Sequence, residues 1–332
     1  MAGTGTFISV GRSLDQAVER VRRAEQLGYD SVYVTHIAGR DSLTVLMAYA
    51  AATERIRLGT GVLPMYSRTP AATAQQAATI DEFSGGRMVL GIGVSHQVTV
   101  ERWYGSKIEH PVAEMREYVT ALRAMFEGRD VPEGARFPTQ FRFMGLQPRA
   151  DLPIYIAGLS PNMLRLAGEI ADGVMLWLCN PEYIRRVVVP EVTAGRERAG
   201  KGLEGFDIVA AVPAAVTDDR AGAFQTMRGD LITYWSLPFY RAMIERSGFG
   251  AEIAAFDAGM KAGDLDKAEA GISDAFLDAL TAVGSPQEVR AGVGRYRDAG
   301  ATSPCVGPVP RTDFAATLDA AAPAHRSDGV AA

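Results

Sequence analysis

Cysteine and histidine are scarce in this 332-residue chain. The two cysteines, Cys179 and Cys305, stand in no CxxC pair or Cys/His cluster, so the sequence indicates neither a disulfide framework nor a zinc site. Both are expected to be small buried apolar side chains. The hydrolase and metalloprotease signatures GxSxG and HExxH are also missing, and no carboxylate cluster has ligand spacing. These absences favour a reaction that needs no bound metal and uses an organic cofactor.

Excess positive charge and long apolar runs are lacking as well. Lysine and arginine number 34 against 39 acidic residues, which gives a formal net charge of −5. No surplus of cations is therefore available to follow a nucleic-acid backbone or an anionic membrane surface. No segment reaches the ~18 uninterrupted apolar residues of a membrane span, and the first residues lack the basic and apolar regions of a secretory signal. We expect a soluble cytoplasmic protein whose partner is a small-molecule substrate, with no nucleic-acid or membrane partner.

What the sequence does contain is a regular alternation of short β-branched runs with amphipathic helical stretches. A helix is predicted over residues 14–27, because Ser13 and Gln16 form a capping-box pattern and apolar residues recur on one face. A second capping box, Ser285 with Glu288, opens a late helix. Eight strands are predicted, over residues 6–10, 30–35, 56–62, 88–92, 153–157, 173–178, 206–216 and 301–306.

Eight strand–helix units predict an α/β fold, a (β/α)8 TIM barrel. An open doubly wound sheet is the alternative, and it is weakened because no GxGxxG follows the first strand. The segments 94–152 and 217–284 are much longer than the other connections and are expected to be insertions after strands 4 and 7. No linker divides the chain, so we expect one barrel domain over residues 1–319 and a flexible tail over residues 320–332.

Two of the four histidines stand where strands are predicted to end. His36 follows strand 2 and His96 follows strand 4, and in such barrels the active site lies at the carboxyl ends of the strands. Either one alone could be an ordinary structural histidine. Because both would lie at the same end of the barrel, and because neutral imidazole can donate a hydrogen bond and pass a proton near pH 7, we predict His36 and His96 as catalytic residues.

Glycine-rich turns occupy two further strand ends, in a chain with 35 glycines. Gly59 and Gly61 in strand 3 indicate either a close approach by something flat or room for bulky neighbours. The turn 158–163 opens a helix, either as an anion site or as a plain N-cap. Aromatic residues of the second insertion either wall an apolar substrate pocket or pack between helices; the pocket candidates are Trp235, Phe239 and Tyr240.

Two stretches of the sequence resemble the bacterial-luciferase-like superfamily of flavin and deazaflavin barrel enzymes. One is TPAATAQQAATIDEFSGGR at residues 69–87, continuing into LGIGVSH at 90–96, and the other covers residues 154–173. Both are similar to the branch that uses coenzyme F420, which includes methylenetetrahydromethanopterin reductase. The resemblance covers most of the chain and implies hydride transfer between C5 of the deazaflavin and a small, partly apolar organic substrate. Two alternatives stay open: a monooxygenase that uses reduced FMN and O2, and a non-catalytic flavin-binding barrel.

The resemblance also implies roles for particular residues. A nonprolyl cis peptide is expected at Gly61-Val62, behind the central ring of the cofactor, with His36 close to the reactive ring and the turn 158–163 on the phosphate. His96 stands where the related sugar-phosphate dehydrogenases have an acidic residue, which argues against a sugar-phosphate substrate. Family members also suggest a homodimer and a separate F420 or flavin reductase that regenerates the cofactor. The full set of expected cofactor-binding residues is Thr35, His36, Gly61, Val62, Gly93, Ser95, Ala157, Gly158, Leu159, Ser160, Pro161 and Met163.

Overall fold

The structure, a computed structural model, describes residues 3–8, 10–11 and 13–323. The strands are β1 (Gly5–Phe7), β2 (Ser31–Val34), β3 (Arg57–Thr60), β4 (Leu63–Pro64), β5 (Met88–Gly93), β6 (Ile154–Ala157), β7 (Gly173–Leu176), β8 (Asp207–Val216), β9 (Ala282–Gly284) and β10 (Ser303–Pro308). The helices are α1 (Leu14–Gln26), α2 (Ser42–Ala52), α3 (Pro70–Phe83), α4 (Gln97–Arg102), α5 (Pro111–Phe126), α6 (Pro161–Ile170), α7 (Pro181–Tyr183), α8 (Val189–Arg198), α9 (Arg220–Trp235), α10 (Pro238–Arg246), α11 (Gly250–Ala262), α12 (Leu265–Ala270), α13 (Asp274–Leu280), α14 (Pro286–Asp298) and α15 (Phe314–Ala320). Of the tail expected over residues 320–332, positions 324–332 lie outside the described residues.

The strands form a closed parallel barrel. The order is β10-β1-β2-β3-β5-β6-β7-β8, and β8 pairs with β10 to complete the ring. The predicted (β/α)8 barrel is therefore confirmed, and the open doubly wound alternative is wrong because that sheet would have two unpaired edges. Each of the eight predicted strands overlaps a strand of the ring.

Two details of the sheet were not predicted. The third predicted strand, residues 56–62, is interrupted in the structure: β3 ends at Thr60, and β4 resumes the pairing with β5 at Leu63. The additional strand β9 pairs with the last residues of β8, from Ala214 to Val216, alongside the ring. This extra pairing arises because β8 is ten residues long, and its final residues extend beyond most of its pairing with β10.

The helices begin where local side-chain chemistry caps them. Ser13 Oγ accepts a hydrogen bond from the Gln16 backbone N–H at 3.3 Å and starts α1. At α14 the full capping box is present, since Ser285 and Glu288 each accept a bond from the other's backbone N–H. Each such cap satisfies backbone donors that the first helical turn leaves without partners.

The two longest connections between ring strands carry their own helices. Helices α4 and α5, followed by irregular backbone over residues 127–153, join β5 to β6. Helices α9 to α14 and strand β9 lie between β8 and β10. None of the helices in the described part of the chain combines the length and apolar character needed to span a membrane.

The interior of the barrel is a packed layer of side chains. Large aromatic residues fill it, and Tyr155 donates a hydrogen bond to the buried carboxylate of Asp207 at 2.9 Å. Gly59 makes room for this layer, because a Cβ there would lie 2.4 Å from the Tyr33 ring. Of the two readings of Gly59, room for a bulky neighbour is the one that the structure supports. Cys179 and Cys305 are both free and fully buried, as predicted.

Candidate active site

The carboxyl ends of the strands meet at one end of the barrel, which we call the mouth. Val62, in the gap between β3 and β4, and Ala157, the last residue of β6, flank Gly93 at the end of β5. A Cβ at Gly93 would lie 2.6 Å from Val62 Cγ2 and 3.3 Å from Ala157 Cβ, so these three strand ends are closely packed. The peptide bond Gly61-Val62 is cis, which confirms that prediction.

His36 follows β2 and is held by the first turn of α2. Its Nδ1 lies 3.3 Å from the backbone nitrogen of Ser42 and 3.1 Å from Ser42 Oγ. A backbone N–H can only donate, so Nδ1 accepts and the proton of the neutral ring sits on Nε2. Burial, together with the nearby Arg68 guanidinium, lowers the pKa of His36, while Asp41 opposes that shift. The side chain is 10% exposed and presents a neutral Nε2–H donor.

His96 lies at the start of α4 against two tyrosines. Its ring centroid is 6.0 Å from that of Tyr234 and 5.9 Å from that of Tyr240, and the two tyrosine rings are 5.0 Å apart. The His96 side chain makes no capping hydrogen bond to α4. Burial lowers the pKa of His96 and raises the pKa of both tyrosines. The imidazole is therefore neutral at pH 7 beside two protonated phenols.

The row of rings continues towards the centre of the barrel. The Trp177 centroid, just after β7, lies 6.2 Å from Tyr234 and 6.3 Å from Phe7 at the end of β1. We call Trp177, Tyr234 and Tyr240 the aromatic wall. It connects Phe7 to His96 through ring-to-ring contacts, and its two tyrosines carry hydroxyl groups at the edges of their apolar rings.

Backbone conformation is unusual at two positions next to this wall. Ser95, immediately before His96, has φ 67°, and Leu178, immediately after Trp177, has φ 59°. Left-handed backbone is uncommon for residues other than glycine and tends to occur at ligand sites. Ser95 was among the residues predicted at the cofactor site, whereas Leu178 was not.

The predicted pocket residues of the second insertion separate in the structure. Tyr240 belongs to the aromatic wall, but Trp235 is fully buried against Phe256 and Phe276, and Phe239 is 66% exposed on α10. Helical spacing explains the difference, because Leu231 and Trp235 lie on the same inward face of α9 and the neighbouring Tyr234 is turned by about 100°. Tyr234 was not among the predicted pocket residues.

The turn 158–163 joins β6 to α6 and is tied down by local bonds. Ser160 Oγ accepts a hydrogen bond from the Met163 N–H at 3.4 Å, so the serine serves as an N-cap. Gly158 N–H donates to Met175 O at 3.3 Å, and the Tyr183 hydroxyl donates to Leu159 O at 2.6 Å. The N-cap bond uses an oxygen lone pair of Ser160, which leaves its hydroxyl proton available to a ligand.

A cleft of about 450 Å³ opens beside His36. Its other lining residues are Ile37, Ala38, Gly39, Asp41, Ser67, Arg68, Trp103 and Tyr104. A groove of about 540 Å³ between α10 and α11 is larger, but its charged side chains include an ion pair, Arg241 with Asp257, and neither predicted catalytic histidine lines it. Within residues 3–8, 10–11 and 13–323, no group of three or more His, Cys, Asp and Glu side chains is placed to hold a metal ion.

The closed parallel barrel, with polar and aromatic groups at its carboxyl-terminal mouth, defines a (β/α)8 protein whose ligand site is formed by the strand ends. A family model described as luciferase-like monooxygenase matches residues 1–303, and the chain belongs to this luciferase-like family.

Two relatives and one solved structure illustrate the similarity. A Mycobacterium tuberculosis protein that bears the name of a coenzyme F420-dependent oxidoreductase is 32% identical over 307 residues, covering 86% of this chain and 88% of the relative. The 5,10-methylenetetrahydromethanopterin reductase of Archaeoglobus fulgidus is 33% identical over 294 residues, covering 86% and 87%. The coenzyme F420-dependent tetrahydromethanopterin reductase of Methanopyrus kandleri has the same fold, with a TM-score of 0.79 over 97% of this chain and 98% of that one, at 23% identity.

Proposed function

We propose that this protein is a coenzyme F420-dependent oxidoreductase acting on a small, partly apolar organic substrate. The similarity to F420-dependent relatives along more than four fifths of the chain supports the cofactor. The observation on which the proposal mainly depends is the state of His36, a neutral ring whose Nε2–H is a donor at the mouth. When bound, the deazaflavin would supply hydride chemistry at its C5.

The residues at the mouth fit a flat heterocycle carrying a phosphate. Val62, packed against Gly93 and Ala157, offers a half-buried apolar surface at the centre of the strand ends. The Ser160 hydroxyl and the start of α6 offer hydrogen-bond donors of the kind that bind phosphate. We propose that these groups hold the cofactor, together with the rest of the predicted set from Thr35 to Met163.

The two histidines would have different tasks. Nδ1 of His36 is occupied by Ser42, so His36 can donate only from Nε2 and would hold an acceptor atom of the ligand in place. The His96 side chain has no hydrogen-bond partner among the described residues and lies against Tyr234 and Tyr240. We propose that His96 exchanges a proton with the substrate, since a neutral imidazole in apolar surroundings can do so near pH 7.

The aromatic wall indicates the chemistry of the substrate. Trp177 and Tyr234 are half-buried, Tyr240 is buried behind them, and neither phenol is charged at pH 7. An uncharged molecule with a flat apolar part and one reducible or oxidisable polar group suits such a surface. A phosphorylated or strongly acidic substrate would find no cation in the wall itself.

The proposal is tested by titrating the purified protein with F420 and with FMN and following cofactor fluorescence. We expect F420 to bind tightly and FMN weakly. Tight binding of FMN without binding of F420 would favour monooxygenase chemistry instead, and binding of neither would contradict an enzymatic role for the mouth. Light scattering would show whether the protein forms the homodimer that we propose, and coupled assays would detect a separate F420 or flavin reductase that regenerates the cofactor.

Variants of the histidines then separate binding from turnover. His36→Ala is expected to weaken F420 binding, and His96→Ala to lower turnover while leaving F420 affinity near that of the wild type. His110→Ala is the matched control, because His110 is an exposed residue at the start of α5. Full turnover in both the His36 and the His96 variants would contradict the assigned roles.

A further inference from the structure

Both carboxylate oxygens of Asp41 are engaged close to His36. Oδ1 accepts hydrogen bonds from the backbone N–H and the hydroxyl of Thr44, each at 2.9 Å, and so caps α2. Oδ2 accepts a hydrogen bond from Nη2 of Arg68. The same Oδ2 lies 3.8 Å from Nδ1 of His36. Arg68 therefore places its positive charge on the carboxylate oxygen that lies nearest to His36.

The guanidinium of Arg68 is held in this position by further partners. Its Nε donates to Gln76 Oε1 at 3.0 Å, and its Nη1 donates to Ser67 Oγ at 3.3 Å. The backbone of the same residue is also anchored, because the Tyr118 hydroxyl donates to Arg68 O at 3.1 Å. With the side chain 19% exposed and three of its nitrogens bonded, Arg68 is oriented towards Asp41.

Protonation of His36 at Nδ1 would disturb this arrangement. The new N–H would point at the backbone N–H of Ser42, which is itself a donor, and the Ser42 hydroxyl would have to turn to accept. The nearby carboxylate that could stabilise the cation is Asp41, and its charge is offset by the paired guanidinium of Arg68. The remaining titratable group that lines the cleft beside His36 is Tyr104.

We propose that Arg68 is a positioning residue: its guanidinium, paired with Asp41 Oδ2, offsets the stabilisation that this carboxylate would give a His36 cation, and so keeps His36 as a neutral donor at Nε2. The inference rests on the proposed function in one respect only, namely that the Nε2–H of His36 donates to an acceptor atom of the ligand. The hydrogen-bond arrangement belongs to the protein without any ligand, so it can be tested separately from cofactor binding.

The test is the titration and tautomer of His36, measured by nitrogen-15 NMR of histidine-labelled full-length protein without cofactor. His36→Asn assigns the signal among the four histidines. Wild-type His36 is expected to show the Nε2–H tautomer. Arg68→Gln removes the cation that opposes protonation of His36 and leaves the Asp41 carboxylate unpaired beside the imidazole, so the pKa of His36 is expected to rise by about one pH unit or more. Arg68→Lys, which keeps a positive charge near Asp41, should restore part of the wild-type behaviour.

Two further variants make the result specific. Arg22→Gln removes an exposed cation that pairs with Glu19 on α1, and it should leave the His36 titration unchanged. Asp41→Asn retains a side chain able to cap α2 but removes the carboxylate, so the rise caused by Arg68→Gln should be smaller in the double variant, where only the direct repulsion by Arg68 is lost. Folding of each variant is verified by circular dichroism.

Three results would overturn the inference. They are an Nδ1–H tautomer in the wild type, an unchanged His36 titration in Arg68→Gln, and a rise of undiminished size in the double variant. The expected NMR pattern in a protein that fails to bind F420 would support the role of Arg68 and refute the proposed cofactor. Tight F420 binding with an unchanged His36 titration would refute the role of Arg68 alone.

Discussion

Replacing Gly93 with alanine tests whether the packing of the strand ends shapes the mouth. The added Cβ would lie 2.6 Å from Val62 Cγ2 and 3.3 Å from Ala157 Cβ. Carbon atoms in contact normally stay about 3.5–4.0 Å apart, so the Val62 side chain would have to move by about 1 Å. Valine is β-branched and stiff at χ1, which leaves few ways to move without shifting the backbone after Gly61.

The size of the effect follows from the cost of overpacking. Inserting a methyl group into a well-packed site typically costs about 1–3 kcal/mol. If that whole cost falls on the cofactor-bound state, the Kd for F420 rises about 5- to 150-fold, because about 1.4 kcal/mol corresponds to a factor of ten. If it falls on the folded protein instead, the free energy of unfolding drops by the same amount.

The assay combines thermal unfolding with fluorescence titration of F420. Gly294→Ala is the matched control, since a Cβ at Gly294 meets nothing within 4 Å and the residue lies inside α14. Alanine there should stabilise the helix by about 0.5–1 kcal/mol and leave binding unchanged. A Gly93→Ala protein that is as stable as the wild type and binds F420 equally well would refute the reasoning.

Two further predictions concern stability. Burial raises the pKa of Glu25, but hydrogen bonds from the backbone N–H groups of residues 54–56 lower it more, so the folded pKa lies below the ordinary value near 4.5. The stabilisation by Glu25 is therefore present above about pH 4.5 and is lost as the pH falls through the folded pKa. The difference in unfolding free energy between wild type and Glu25→Gln should shrink on acidification. A difference that stays constant with pH would contradict this. Arg87→Lys should destabilise the protein by about 1–3 kcal/mol in urea unfolding. The Arg87 guanidinium donates to Thr53 O, to Thr53 Oγ1 and to three other backbone carbonyls, and a lysine ammonium cannot reach all five acceptors. Arg186→Lys, at a largely exposed side chain, is the control and should change little.

The positions of the strands could be predicted because parallel strands buried on both faces are short continuous apolar runs. The starts of the helices could also be predicted, because a cap such as Ser285 with Glu288 depends on residues only three positions apart. His36 and His96 follow predicted strands, and active sites of (β/α)8 barrels lie at the carboxyl ends of the strands, so both could be proposed for the site without knowledge of any contact. These features depend on local chemistry or on a general property of the fold.

The partners of the two histidines could not be predicted in the same way. Tyr234 reaches His96 from a helix of the second long connection, and which face of α9 points at the mouth depends on how that helix packs. Trp235, its neighbour, looked equally suitable in the sequence and is buried among phenylalanines. Likewise, nothing in the spacing of Arg68 and Asp41 along the chain shows that Arg68 pairs with the Asp41 oxygen that lies beside His36.

The sequence by itself determined the order of strands and helices, the caps and the two histidines at strand ends, because periodicity and short-range hydrogen bonding specify them. Tertiary structure decided which side chains meet at the mouth and in which protonation state. The tautomer of His36 is set by Ser42, and the charge of the neighbouring Asp41 is offset by Arg68, whose position depends on the turn before α3. Those distances arise only when the ring of strands closes and brings the segments that follow them together.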